Sequence, residues 1–254
     1  MRSIFSPEGA VALRRTVETQ ALLVFDFDGT LAPIVDDPAD AFTPTATAGL
    51  LLHLLGHFKI AVVSGRSTQD LAPRLGFSPT FVVGNHGAEG LGDAPSAGHL
   101  EAAAWLMARL AAHQPELDAA GVTLEDKRQS WTLHYRQAAD HSRARQAIQR
   151  AIEPLDERLH AFGGKCCVNL VLASASTKGD AVEALVAQAG ASGVLFMGDD
   201  VTDESVYRMS RPSWLTIHVG RTEHVTGASF YVDTQRDVAS VLRRLVDLTH
   251  TLGH

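Results

Sequence analysis

The chain has 254 residues, 45% hydrophobic and 20% charged, with 22 Lys+Arg against 29 Asp+Glu for a formal net charge of −7. With mean hydropathy near zero this is globular composition; it excludes a disordered polar chain and leaves room for one large domain or two modest ones. A net acidic chain is a poor general binder of nucleic acid, whose phosphates reward clustered Lys and Arg, but a phosphorylated small molecule needs only a few local cations.

Residues 1–20 lack a continuous apolar segment, because Glu8, Arg14 and Arg15 interrupt it, so no secretory leader is expected. Residues 21–25 (ALLVF) read as a strand that ends in Asp. Residues 44–57 read as a helix, with Leu50, Leu51, Leu54 and Leu55 at helical spacing. A strand at 60–63, a short helix at 67–75 and a strand at 81–83 follow. The most apolar stretch, 48–63, is broken by His53, Gly56, His57 and Lys59 and is too polar for a membrane span. A cytoplasmic monomer with no membrane partner is expected.

The character changes after Gly90. Residues 90–98 (GLGDAPSAG) form a linker. A helix is predicted at 100–113, a hairpin at 122–138, a helix at 141–160 and a strand at 165–172. The alternation of strand and helix then resumes: helix 178–188, strand 194–197, helix 203–209, strand 215–219 and helix 238–248. Short, wholly apolar strands separated by helices mark a parallel sheet covered on both faces. The expected architecture is α/β: a doubly wound parallel-sheet core from 1–90 and 176–254, with an inserted α+β domain at 91–175. Cys166 and Cys167 are adjacent, which suits neither a disulfide nor a zinc site; they are read as two small buried side chains in a reducing compartment.

Ligands of open α/β sheets bind beyond the carboxyl ends of the strands, and four segments put polar groups there. In VFDFDGTL (24–31), Asp26 and Asp28 are two apart, so an extended chain directs both the same way. A lone pair of this kind is ordinarily two loop aspartates; here it ends an apolar strand and precedes Gly-Thr. In AVVSGR (61–66), Ser64 and the amides after it can cradle an anion, or simply make a turn. In STKGD (176–180), Lys178 opens a helix against its dipole, which suggests a fixed cation is wanted. In LFMGDDVTDE (195–204), Asp199, Asp200 and Asp203 follow another apolar strand. Together with Asp26 and Asp28 they are read as one carboxylate cluster, which calls for a hard cation such as Mg2+.

The order and placement of these segments resemble the haloacid dehalogenase (HAD) superfamily, and more closely its trehalose-6-phosphate phosphatase family. The likeness lies in LLVFDFDGTLAPI, VVSGR, VVGNHGAEG, LEDKRQSWTLHYRQA and MGDDVTDE, spanning about residues 21–220. It implies a Rossmann-like HAD core with a cap that closes over the sugar, and Mg2+-dependent hydrolysis of a sugar phosphate in trehalose biosynthesis. Asp26 is implied as the nucleophile, forming an aspartyl phosphate, and Asp28 as the acid and then base. Ser64 and Lys178 would bind the phosphoryl oxygens. The metal would be held by Asp26, the Asp28 carbonyl and Asp199, with Asp203 and in some measure Asp200 behind them. Gly65, Arg66, Asn85, His86, Glu125, Lys127, Lys165 and Asn169 are the implied substrate-binding positions.

The second cap strand departs from the family. Asn169 stands where an acidic sugar ligand is expected, and Val171-Leu172 replaces a basic residue and proline. Phosphatase chemistry is untouched by this change, but the sugar is left open: trehalose 6-phosphate, or a glucosyl- or mannosyl-glycerate or glucosylglycerol phosphate. A phosphomutase would share the nucleophile. A non-enzymatic regulatory domain is the rival of another class; a degenerate homologue would have lost one of Asp26, Asp28, Lys178 or Asp199, and all four are present. There is no P-loop, HExxH or GxSxG motif.

Overall fold

Leu22–Phe25 and Ile60–Val63 are apolar at every position and buried at every position, as a strand covered on both faces requires. They are neighbouring interior strands of a seven-stranded sheet in a computed structural model that describes residues 1–91, 97–127, 130–221 and 225–252. Residues 92–96 of the linker and Arg128 and Gln129 of the hairpin lie outside the described residues. The chain divides into two units, Met1–Leu91 with Ser176–His254, and Gly92–Ala175.

The first unit holds β1 (Arg2–Ser3), α1 (Pro7–Glu18), β2 (Leu22–Phe25), α2 (Thr45–Leu54), β3 (Ile60–Val63), α3 (Thr68–Leu71) and β4 (Phe81–Val83). After the other unit the chain returns to it. The second unit holds α4 (Ala97–Ala119), β5 (Thr123–Asp126), β6 (Ser130–His134), α5 (His141–Ile152), β7 (Leu159–Gly164) and β8 (Cys167–Leu172). The first then resumes with α6 (Lys178–Ala189), β9 (Val194–Gly198), α7 (Glu204–Arg208), β10 (Trp214–Val219), β11 (Phe230–Val232) and α8 (Arg236–Leu252).

In the first unit the strand order is β1-β11-β10-β9-β2-β3-β4, with every pair parallel. The period of two along β2 sorts its side chains between two cores. Leu23 and Phe25 pack with Leu13, Leu51, Val241 and Leu245 of α1, α2 and α8. Leu22 and Val24 pack with Val182, Leu185 and Val206 of α6 and α7. Each such buried side chain contributes about 1.5–3 kcal/mol. From β2 the chain moves outward through β3 and β4, then returns to β9 and leaves the other way through β10. The β2–β9 boundary is therefore the switch point, where such sheets open a crevice.

The second unit is a four-stranded antiparallel sheet, β5-β6-β8-β7. Its core joins Trp131, Leu133 and Leu170 to Leu106 and Leu110 of α4 and to Ala144, Ile148 and Ala151 of α5.

Several predicted bounds shift. The helix expected over 141–160 stops at Ile152, and Leu159–Gly164 is a strand. Pro154 holds Glu153 in extended geometry and ends the helix. Helix α4 runs past the expected 113 to Ala119 despite Pro115, because Leu117 and Ala120 enter the core. The 67–75 helix is α3 followed by a 3-10 turn, Ala72–Arg74. No element was expected before residue 21 or over 230–232. Yet Ser6 caps α1 by accepting from the Gly9 amide, with Pro7 in its first turn, a local signal that was there to be read. Cys166 and Cys167 are half-buried rather than buried, with Cys166 at φ 60 in the β7–β8 turn. No helix among the described residues is long and apolar enough to cross a membrane.

Candidate active site

Four neighbouring strands, β9, β2, β3 and β4, deliver their carboxyl ends to one edge of the parallel sheet. Asp26 directly follows β2, its amide donating to the Met197 carbonyl of β9 at 2.9 Å. The chain then turns sharply: the Gly29 amide donates to the Ala32 carbonyl at 2.8 Å, and the Ala32 amide to the Phe27 carbonyl at 2.8 Å. Gly29 has φ 81, and a Cβ there would stand 2.0 Å from Asp199 Oδ2, so only glycine lets the two strand-end loops meet. The two side chains take different partners: Asp26 accepts from Lys178 and Asp28 from Arg66.

Lys178 is the first residue of α6, whose amides are capped by a Thr177–Asp180 capping box. Its side chain turns inward, 3% exposed, and its ammonium donates to Asp26 Oδ1 and to Asp203 Oδ1, each at 2.8 Å. The second oxygen of Asp203 accepts from the Asp200 amide at 2.9 Å. Burial pushes the Asp26 carboxyl well above its ordinary range; Lys178 pulls it back, and Asp203 and Asp199 push it up again. Burial alone would weaken the Lys178 charge, but Asp203 and Asp26 outweigh it and hold the ammonium above its ordinary value.

Asp26, Asp199 and Asp203 each offer an oxygen within 4.8 Å of the others. Three carboxylates against one ammonium leave two negative charges, which a divalent cation would balance. An all-oxygen set of this charge fits a hard cation such as Mg2+ or Ca2+ rather than a soft one. The expected five-carboxylate cluster is thus three among the described residues. Asp200 instead caps the 3-10 turn Val201–Asp203, and the side chain of Asp28 is taken by Arg66.

Ser64 follows β3 and is buried; its hydroxyl accepts from the Arg66 amide at 3.2 Å. The loop after β4 folds against it, with the His86 amide donating to the Ser64 carbonyl at 2.9 Å and the Asn85 amide to the Arg66 carbonyl at 2.8 Å. Asn85 and His86 have φ 50 and 58, two successive non-glycine residues in the left-handed region. Glu89, not singled out from the sequence, holds them there. It accepts from Asn85 Nδ2 at 2.8 Å and from the Thr68 amide and hydroxyl at 3.0 and 2.6 Å. The His86 ring lies over Gly65, where a Cβ would come within 2.4 Å of it. Ser64, Gly65, Asn85 and His86 are therefore one packed corner.

Arg66 was read as a substrate ligand, but four of its five N–H donors are already engaged: two by Asp28, one by Asp70 and one by the Pro38 carbonyl. Burial would weaken its charge; Asp28 and Asp70 outweigh burial and hold the guanidinium above its ordinary value.

In the second unit, register aligns Glu125, Thr132, Asn169 and Phe162 in one row across β5, β6, β8 and β7. The row lies on the face opposite the helices, since Trp131, Leu133 and Leu170 face the core. Asn169 Oδ1 accepts from the Thr132 hydroxyl at 3.0 Å, and both residues are buried. Glu125 pairs with His134 Nε2 at 2.7 Å and with Lys127 Nζ at 3.6 Å. Burial raises Glu125, but the His134 hydrogen bond and Lys127 outweigh it and hold it below the usual range. The structure thus groups Glu125, Lys127 and Asn169 and adds Thr132, which only the register reveals; His134, which the sequence leaves open between core and a sugar-facing place, pairs with Glu125. Lys165 is apart from them, exposed in the β7–β8 turn.

The family model described as trehalose-phosphatase matches residues 24–236. The trehalose-phosphate phosphatase of Mycobacterium marinum is 33% identical over 270 residues, an alignment that takes in all of this chain and 67% of the relative. The chain therefore spans about two thirds of that relative's length. Among solved structures, the C-terminal domain of C. albicans trehalose-6-phosphate phosphatase superposes with a TM-score of 0.78 at 22% identity, covering 93% of this chain and 96% of that one. A trehalose-6-phosphate phosphatase related protein superposes with a TM-score of 0.74 at 20% identity, covering 91% of this chain and 100% of that one. At such identities the likeness speaks for the fold.

Proposed function

The chain belongs to the trehalose-phosphatase family of the haloacid dehalogenase superfamily, and on that premise we propose that it hydrolyses trehalose 6-phosphate to trehalose and phosphate with Mg2+ as cofactor. The observation that carries this reading is the buried Lys178 ammonium, shared between Asp26 and Asp203 beside Asp199. Such a fixed cation at a strand end is suited to the charge that spreads over a transferring phosphoryl group.

In this reading Asp26 attacks phosphorus, and the bond from phosphorus to the sugar oxygen breaks. Asp28 gives that oxygen its proton, then takes one from the water that displaces Asp26 from the phosphoryl group. Lys178 and the Ser64 hydroxyl bind phosphoryl oxygens. Asp26 and Asp199 would hold Mg2+, with the Asp28 carbonyl as a further ligand and Asp203 behind them; when bound, the ion neutralises charge on the phosphate. Burial of Asp26 limits competing water. The row of Glu125, Thr132 and Asn169, with Lys127 and His134 beside it, has the donors and acceptors that sugar hydroxyls require.

The test is phosphate release from trehalose 6-phosphate, glucose 6-phosphate, a glucosylglycerate phosphate and p-nitrophenyl phosphate, with Mg2+ and with EDTA. Trehalose 6-phosphate should be preferred, EDTA should stop turnover, and Asp26→Asn should abolish it while circular dichroism stays native. Preference for another sugar phosphate would overturn the substrate; full activity of Asp26→Asn would overturn the nucleophile.

A further inference from the structure

We propose that Arg66, locked in place by Asp70 and Arg74, is the positioning residue for Asp28: it fixes that carboxylate for proton transfer to the departing sugar oxygen. This rests on the proposed phosphatase reading and assigns Arg66 a different task from binding the substrate.

The geometry is a fork. Arg66 Nε donates to Asp28 Oδ2 at 2.7 Å and Nη2 to Asp28 Oδ1 at 2.8 Å. Two parallel bonds fix both the position and the plane of a carboxylate, which one bond cannot do. They use one site on each oxygen of about four, so a remaining site can carry the proton that passes to the sugar oxygen and later accept one from water. Asp28 itself lies within the sharp turn after β2 and is 38% exposed, so burial alone does not fix its side chain.

The fork is held from behind. Arg66 Nη1 donates to Asp70 Oδ2 at 2.8 Å and Nη2 to the Pro38 carbonyl at 2.9 Å. Its guanidinium carbon lies 5.4 Å from the centre of the Phe27 ring. Arg74 in turn clamps Asp70, donating from Nε at 3.0 Å and from Nη2 at 2.8 Å to Oδ1, and also donates to the Ala39 carbonyl. Asp70 sits on α3, whose N-cap Ser67 accepts from the Asp70 amide at 3.2 Å. The chain Arg74–Asp70–Arg66–Asp28 therefore ties the helix after β3 to the loop after β2. A side chain so engaged has the character of a support for another residue rather than of a mobile phosphate ligand.

The leaving group supplies the test. A sugar alkoxide needs a proton as it departs, whereas nitrophenolate does not. The readout is kcat/KM, which reports the steps through leaving-group departure. We expect Arg66→Lys, which keeps charge but loses the fork, to lower kcat/KM for trehalose 6-phosphate by roughly 10- to 100-fold. Asp70→Asn, which touches neither Asp28 nor substrate, should act in the same direction and less. Both variants should lose much less kcat/KM on p-nitrophenyl phosphate, so that the ratio between the two substrates falls. Equal losses on both phosphates would overturn the role in favour of general structural support or phosphate binding, and so would unchanged rates on both. Wild-type protein inert towards both phosphates would instead overturn the phosphatase reading on which the role rests.

Discussion

The Lys178 ammonium lies 2.8 Å from Asp26 Oδ1, a contact between residues 152 positions apart that binds the first strand-end loop to the start of α6. Both side chains are almost wholly buried. Removing one partner of a buried pair leaves an uncompensated charge, at about 3–5 kcal/mol. Lys178→Met should therefore lose stability of that order in urea denaturation with EDTA, because three carboxylates then face one another. Added Mg2+ should recover part of the loss, while turnover stays down by about 10²–10³-fold, as for loss of one charge-stabilising donor. A variant as stable as wild type in EDTA would contradict the charge balance drawn for the site.

The same balance predicts how the metal acts on the fold. A ligand that binds only the native state adds about 2.7 kcal/mol at a hundredfold excess over Kd. Millimolar Mg2+ should raise the thermal midpoint of the wild-type protein. Asp199→Asn should remove most of that rise, since Asp199 is one of the three converging carboxylates. An undiminished rise in the variant would move the ion elsewhere.

What could be read from the sequence here was local. Asp26, Ser64, Lys178 and Asp199 each sit at a strand or helix end that its own neighbours define, so strand-end placement could be argued from short windows. The partnership of Asp28 with Arg66 could not: it spans 38 residues and joins the loops after two different strands. The row from Glu125 through Thr132 to Asn169 depends on register, which no single strand encodes. The helical pattern that begins at His141 is expected to run to residue 160, but Pro154 stops it, and residues 159 and 160 open β7 instead. The N-terminal helix has its local signal in Ser6-Pro7.

Asn169, where the resemblance leads one to expect an acid, is tied into its own sheet. Its amide oxygen accepts a hydrogen bond from the Thr132 hydroxyl, and both residues are buried. Asn169→Ala leaves that hydroxyl without its acceptor and should cost about 1–3 kcal/mol in chemical denaturation. Asn169→Asp keeps the acceptor and should cost less. If Asn169→Ala is as stable as wild type, the Thr132 bond contributes nothing and the asparagine is held for another reason.

Glu125 gives a pH dependence whose sign follows from its surroundings. Burial raises its pKa, but the His134 hydrogen bond and Lys127 prevail and hold it below the ordinary 4.5. A carboxyl depressed in the folded state stabilises the fold above its unfolded pKa, and that contribution is lost as pH falls through the folded value. Glu125→Gln should therefore be less stable than wild type at pH 7, by less than about 1 kcal/mol because the side chain is nearly half exposed and solvent screens it. The gap should narrow as pH drops below 4.5 and vanish once Glu125 is protonated in both states. Paired denaturation curves of the two proteins between pH 7 and pH 3 check this; a gap that widens on acidification would mean that Glu125 is strained in its ionised form rather than supported by His134 and Lys127.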